Sequence, residues 1–171
     1  PAVCGVPSLA VTDRLLAAWR ACGTDALVVA AADDDGRWSL VGRTEAEVCE
    51  CCRLGVTGAA GAARLLWRGR QPDGSFDLMT ATSADGGRSF EPPSRISFEW
   101  SVADCGDVGG AFAEGPEETV HLTWAAKAEQ PEPFAHVFYA SLRGGTLATP
   151  RQTLDTIEAT SPANPQLVLD A

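Results

Sequence analysis

Apolar residues fall in short runs separated by turns rich in Gly, Asp and Pro, and no run approaches the ~20 residues needed to cross a bilayer. Three of these runs carry a tryptophan near their end: "LLAAWRA" at 15–21, "RLLWRG" at 64–69 and "VHLTWAA" at 120–126, with Trp19, Trp67 and Trp124 spaced 48 and then 57 residues apart. Ahead of each lies a small-and-apolar run, "PSLAV", "CRLGV" or "GGAFA". After each comes a third run, "ALVVAAA", "FDLMTATS" or "HVFYAS", then a turn and a fourth segment, "WSLVG", "FEPPSRIS" or "ATPRQTL". This pattern predicts a unit of four antiparallel strands written three times. A sustained 3.6-residue apolar period is missing except in "TEAEVCECC", where Thr44 and Glu47 have the spacing of a capping box and suggest one short helix.

Repeated four-stranded units with a register of tryptophans fit the blades of a propeller better than a sandwich. The expected fold is all-β: a β-propeller, or a partial propeller of about three four-stranded antiparallel blades plus the first strand of a fourth. The chain, 1–171, reads as one domain with approximate blades at 5–46, 47–104 and 105–160 and an extra strand at 164–171. Three units fall short of the ~4 to 8 blades that close a ring. The open edge is therefore expected to be covered by a protein partner or a second copy, with Leu167, Val168 and Leu169 as the contact strand.

Composition narrows the function classes. A hydrophobic fraction of 45% supports a real core. The net charge of −10 surrounds the molecule with a negative field that repels phosphate backbones and anionic lipid, so no nucleic-acid partner and no direct membrane span are expected. The chain opens at "PAVCGVPSL" with no basic, apolar leader, on the expectation that any leader or anchor has been removed. Six cysteines beside a single methionine, three of them in "CECC", suit an oxidising compartment and an extracytoplasmic location, periplasmic or secreted.

The stretch "SADGGRSF", 83–90, lies between the third and fourth strands of the second unit, where Asp85 can accept backbone N–H groups and Gly86 and Gly87 can take positive φ. It resembles the Asp-box, or bacterial neuraminidase repeat, of sialidase-like propellers, whose pattern Ser-x-Asp-x-Gly-x-Ser/Thr-aromatic is met by Ser83, Asp85, Gly87, Ser89 and Phe90. The other units carry worn versions: "ADDDGRWS" keeps Asp34 and Gly36, whereas "SLRGGTL" has Arg143 in place of the aspartate. The region from "VCECC" through the box to "DCGDVGGAFA" is similar to bacterial secreted proteins labelled exo-α-sialidase-like. The resemblance implies a structural role for the box, on the propeller face opposite the active site.

A sialidase reaction calls for three converging arginines, a tyrosine nucleophile with a glutamate partner and an aspartate acid/base. The only tyrosine, Tyr139, sits inside a strand run, so no catalytic residues are assigned. The expected function is a non-catalytic binding or scaffolding subunit of a cell-envelope assembly. The alternative is a divergent, exo-sialidase-like glycoside hydrolase acting on an acidic sugar, and no cofactor is expected in either case.

Repeat phase places all six cysteines, Cys4, Cys22, Cys49, Cys51, Cys52 and Cys105, on one face of the propeller as disulfide candidates. Cys4 with Cys22 would close a loop of about 17 residues within one blade, and Cys105 is expected to pair with Cys49, Cys51 or Cys52. A copper or zinc site at Cys49, Cys51, Cys52 and Cys105 is the alternative, though no second Cys-x-x-Cys or paired histidine completes it. Arg20 and Arg68 follow their tryptophans at equivalent positions and are the ligand-binding candidates, able to grip a carboxylate such as that of an acidic carbohydrate; the competing role is to cap blade ends and pair with Asp and Glu.

Overall fold

The computed structural model describes residues 3–49, 53–58, 61–96, 110–117, 119–127, 135–144, 146–154 and 167, all in strands, turns or extended segments, with no helix among them. The first sheet is a meander of β1 (Val3–Val11), β2 (Leu15–Ala21), β3 (Ala26–Ala32) and β4 (Trp38–Glu45). The second holds β5 (Gly55–Thr57), β6 (Ala63–Arg70), β7 (Phe76–Ser83) and β8 (Ser94–Arg95). The third holds β9 (Gly110–Glu114), β10 (Thr119–Lys127), β11 (Ala135–Arg143) and β12 (Thr146–Thr153). Within each sheet every strand pairs antiparallel with the next. The first strands β1, β5 and β9 touch in series, which places them around a common axis and makes the fold a partial β-propeller of three blades.

Strand alternation explains how the sheets hold together. On β6, Leu65 and Trp67 face the first sheet and meet Leu16, Ala18, Leu27 and Val29, while Leu66 faces the third sheet and meets Leu122, Trp124 and Phe138. The middle sheet is thus covered on both faces. Its long third-strand neighbour β3, "ALVVAAA", is buried along almost its whole length, and its small residues allow the sheets to approach closely. Turns follow local chemistry: Asp33 Oδ1 accepts the amides of Asp35 and Arg37 at 3.1 and 2.8 Å, and Gly36 supplies the positive φ that closes the β3–β4 hairpin.

One expectation changes. The described part of the segment predicted as a short helix, 44–49, is extended: Thr44 and Glu45 end β4, and Val48 bridges Gly69 while Cys49 donates its amide to the Arg68 carbonyl and Glu47 accepts from Arg70. The extended backbone points Ala46 and Val48 together into the core between the first two sheets, which a helix would not do. The fourth-blade strand at 164–171 lies outside the described residues except for Leu167, which is half-buried and in no strand; Val168 and Leu169 are outside them.

The second sheet also locks onto the first at the Ser83–Phe90 turn. Arg14, in the β1–β2 turn, donates through Nη2 to the Gly86 carbonyl at 2.6 Å, and Phe90 packs against the core between the two sheets. Gly42 of β4 lies so near that a Cβ built on it would come 1.8 Å from the Gly87 carbonyl oxygen. Gly42→Ala is therefore expected to lower stability by at least the ~1–3 kcal/mol of an overpacked core. Urea unfolding checks it, and an unchanged midpoint would mean that the turn does not dock on β4.

Candidate functional site

One end of the fan brings Cys4, Cys22 and Cys49 to the strand ends that carry Arg20 and Arg68. Cys4 at the start of β1 and Cys22 after β2 form a disulfide, with their Cα atoms 5.0 Å apart, because β1 and β2 pair directly there and bring Cys4 opposite Arg20. Cys49 is also disulfide-bonded, so its sulfur is not a thiolate available to a metal; Cys51, Cys52 and Cys105 lie outside the described residues. This removes Cys49 from the four-cysteine copper or zinc alternative.

Arg20 and Arg68 occupy equivalent strand ends and point toward different sheets. Arg20, half-buried, lies on the β2 face that carries Leu16 and Ala18 toward the second sheet. Arg68 is 3% exposed and lies on the opposite face of β6, where its Nη2 donates to the Ala125 carbonyl of β10, the position in the third sheet that corresponds to its own. A guanidinium in that setting joins sheets rather than grips solvent-borne ligand. Blade stacking presents that backbone carbonyl to Arg68 at this point.

Sequence reasoning passed over Asp77. It is fully buried on β7 opposite Gly69, and it forms an ion pair with Arg95 of β8, whose side chain is 34% exposed. The signal was an aspartate inside the apolar run "FDLMTATS", a position that only a partner makes tolerable. Tyr139 sits within β11, as expected, and its hydroxyl lies 2.7 Å from His121 Nδ1 across the β10–β11 pair. Glu114 on β9 is pushed up from the usual carboxylate value by burial, against the opposing pull of Arg64.

The opposite end carries the Ser83–Phe90 turn. Asp85 Oδ1 accepts the amides of Arg88 and Ser89, both at 2.9 Å, and Oδ2 accepts the Ser89 hydroxyl at 2.6 Å. The Ser83 hydroxyl donates to Asp85 Oδ1 at 2.7 Å and accepts the Gly87 amide at 2.8 Å, while Gly86 and Gly87 both take positive φ. Led by the Ser89 hydroxyl and amide and then the Ser83 hydroxyl, these donors hold the Asp85 carboxyl far below the usual carboxylate range. The carboxylate is saturated by its own turn, about the length of a β-strand from the charged end of the same sheet. The five residues Ser83, Asp85, Gly87, Ser89 and Phe90 are brought together; Arg20 and Arg68 are not.

No protein-family model matches the chain, and no curated protein sequence matches it. Solved structures do. The Bacteroides ovatus xyloglucan PUL GH43B superposes with a TM-score of 0.58 at 11% identity, over 90% of this chain and 32% of that one. The GH43_1 enzyme from Xanthomonas citri, solved with xylose, gives 0.58 at 16% identity over 86% of this chain and 54% of that one. The GH93 α-L-arabinofuranosidase of Fusarium graminearum, solved with arabinobiose, gives 0.54 at 12% identity over 88% and 47%. The chain spans between a third and about half of their lengths, and at these identities the likeness establishes the propeller fold alone.

Two outcomes follow. Because the folded state holds Asp85 below its unfolded value, its ionised form stabilises the fold above the ordinary carboxylate pKa, and that contribution fades as pH falls through the depressed value. Asp85→Asn should lower Tm by several degrees at neutral pH, with the gap to the parent chain narrowing steadily below about pH 4; a gap that does not depend on pH would contradict the hydrogen-bond assignment. Peptide mapping without reductant should recover Cys4 linked to Cys22, and replacing both by Ser should cost about 3 kcal/mol, the value for a loop of this length. Free Cys4 in unreduced protein would overturn the pairing.

Proposed function

We propose that the chain is the sialidase-like region of an extracytoplasmic propeller protein that binds an acidic glycan or protein partner and performs no glycosidic cleavage itself. The observation that carries this reading is the state of the groups chemically suited to sugar hydrolysis at the axial end. Asp77 is buried and held by Arg95, Arg68 is buried against the Ala125 carbonyl, and the one tyrosine is paired with His121 in mid-strand. A retaining or inverting glycosidase needs two carboxyl groups open to the scissile bond, one of them able to give up a proton. These groups are instead committed to holding strands together.

Ser83–Phe90 is read in the same proposal as an Asp-box whose task is to shape a hairpin and clamp it to the neighbouring blade. The contacts of Arg14 and Gly42 with that turn support this reading. The Cys4–Cys22 disulfide and the bonded state of Cys49 suit a periplasmic or secreted location.

A divergent glycoside hydrolase is the second reading, favoured by the likeness to GH43 and GH93 enzymes over nearly the whole of this chain. It would require two carboxyl groups open to a sugar, a pair that the contacts given above do not assign. Incubation with aryl sialosides, arabinofuranosides and xylosides separates the two. The proposal expects no aglycone release and saturable, salt-sensitive binding of a uronate- or sialate-containing oligosaccharide or of a protein ligand by calorimetry. Release above the blank that is lost on substituting a single carboxylate would establish the enzyme reading.

A further inference from the structure

The disulfide-bonded cysteines among the described residues, Cys4, Cys22 and Cys49, differ in reach. Cys49 is 2% exposed, whereas Cys4 and Cys22 are only half-buried. Cys22 begins the turn between β2 and β3, where Gly23, Thr24 and Asp25 are all exposed. A Cβ built on Gly23 meets nothing within 4 Å, so the turn beside the Cys22 sulfur is open to a second molecule. Buried structural disulfides are inert, and reachable ones exchange.

Register sets a charge beside the same bond. Cys4 stands directly opposite Arg20 in the β1–β2 ladder, and Cys22 follows Arg20 by two positions, so the disulfide and Arg20 lie on one face of the sheet. Directly opposed residues have their Cβ atoms about 4.5–5.5 Å apart, within reach of an arginine side chain. A neighbouring guanidinium lowers the pKa of a thiol, and a thiol of lower pKa leaves faster in exchange. Cys4 is the sulfur placed to leave and Cys22 the one open to attack. Asp25, on the turn itself, is exposed to solvent, which screens its charge.

What the bond holds is short and well bounded. The β1–β2 register is interrupted between Cys4 and Ser8, where Gly5 takes a φ of 82° and Pro7 has no N–H to donate. Beyond the interruption Ser8, Leu9, Ala10 and Val11 are paired with β2, and the Ser8 hydroxyl accepts the Val56 amide, on β5, at 3.3 Å. On the near side the described pairs are Val3–Ala21 and Cys4–Arg20, beside the disulfide. This end of β1 therefore depends on the disulfide more than the rest of the strand does.

We propose that Cys4–Cys22 is a thiol–disulfide exchange site for a dithiol donor, and that its reduction releases the end of β1 while the rest of the fan stays folded. A thiolate of the donor attacks Cys22 Sγ, the Cys4–Cys22 bond breaks, and its electron pair leaves on Cys4 Sγ beside Arg20. The donor's second thiolate then attacks its own sulfur in the mixed disulfide and expels Cys22 Sγ as a thiolate. The donor ends as a disulfide, oxidised by two electrons, and its two protons pass to the two cysteine sulfurs. The site is the same whichever ligand the fan binds, and whether or not the chain cleaves a glycoside.

Timed exposure of the folded 171-residue chain to dithiothreitol, followed by alkylation and peptide mapping, tests it. Cys4 and Cys22 should become alkylated at least about tenfold faster than Cys49, with the β6 amides still protected from hydrogen exchange and faster exchange confined to 3–5 and 20–22. Arg20→Gln should slow the reduction severalfold and Arg20→Lys should keep most of the rate, while Arg43→Gln, at the exposed Arg43–Glu45 pair, should leave it within about twofold. In the reduced chain Cys4 should react with iodoacetamide at lower pH than Cys22 does, a comparison that needs no variant. Reduction of Cys4–Cys22 in step with Cys49, or loss of β6 protection once the pair is reduced, overturns the proposal. So does a parental rate in Arg20→Gln, or a single pH profile for both thiols.

Discussion

The middle sheet of this fold is apolar on both faces, and that constraint governs the rest of the structure. A four-stranded meander has no interior, so Leu65 and Trp67 on one side of β6 and Leu66 on the other can leave water only if a sheet lies against each side. Fully burying a Leu, Val or Phe side chain contributes about 1.5–3 kcal/mol, and only stacking supplies that burial here. The middle sheet is satisfied by its two neighbours. The first sheet is satisfied on one side only, and from this follows the exposed face of Leu9, Val11, Trp38 and Leu40.

Stacking also dictates what polar groups do. Buried hydroxyls inside the sheets turn to strand carbonyls: Thr80 of β7 donates to Leu65 of β6, and Thr123 of β10 donates to Phe138 of β11, both at 2.9 Å. Charges that enter the stack do so with a partner, as Asp77 does with Arg95 and Arg68 with the Ala125 carbonyl. The same groups are thereby withdrawn from chemistry. The proposed binding role starts from this structural commitment at one end and the saturation of Asp85 at the other.

Much of the fold was legible because burial on both faces leaves continuous apolar runs. "LLAAWRA", "ALVVAAA" and "FDLMTATS" stand out for that reason, and the repeat phase they define places Cys4 beside Cys22. The weaker strands were harder to bound. Among the described residues of "FEPPSRIS" the strand is Ser94 and Arg95 alone, flanked by single amide hydrogen bonds from Glu91 and Ile96 to β7, since Pro92 and Pro93 have no N–H to donate. The apparent helix signal in "TEAEVCECC" was overridden by the end of β6, where Arg68 accepts from Cys49 and Arg70 donates to Glu47 in an extended segment. Nothing local marks Arg14 as the partner of Gly86 or Ala125 as the partner of Arg68, because both contacts exist only after two sheets stack.

The claim that the sheets hold one another in water-free stacks is tested most directly by hydrogen exchange along the chain. Amides of β6 and β7, covered on both sides, should exchange most slowly and through global unfolding, with β2 and β3 next and the exposed edge strand β4 fastest among the strands of the first sheet. Exchange in β6 and β7 as fast as in β4, or protection in the first sheet that survives after the second has opened, would contradict the account.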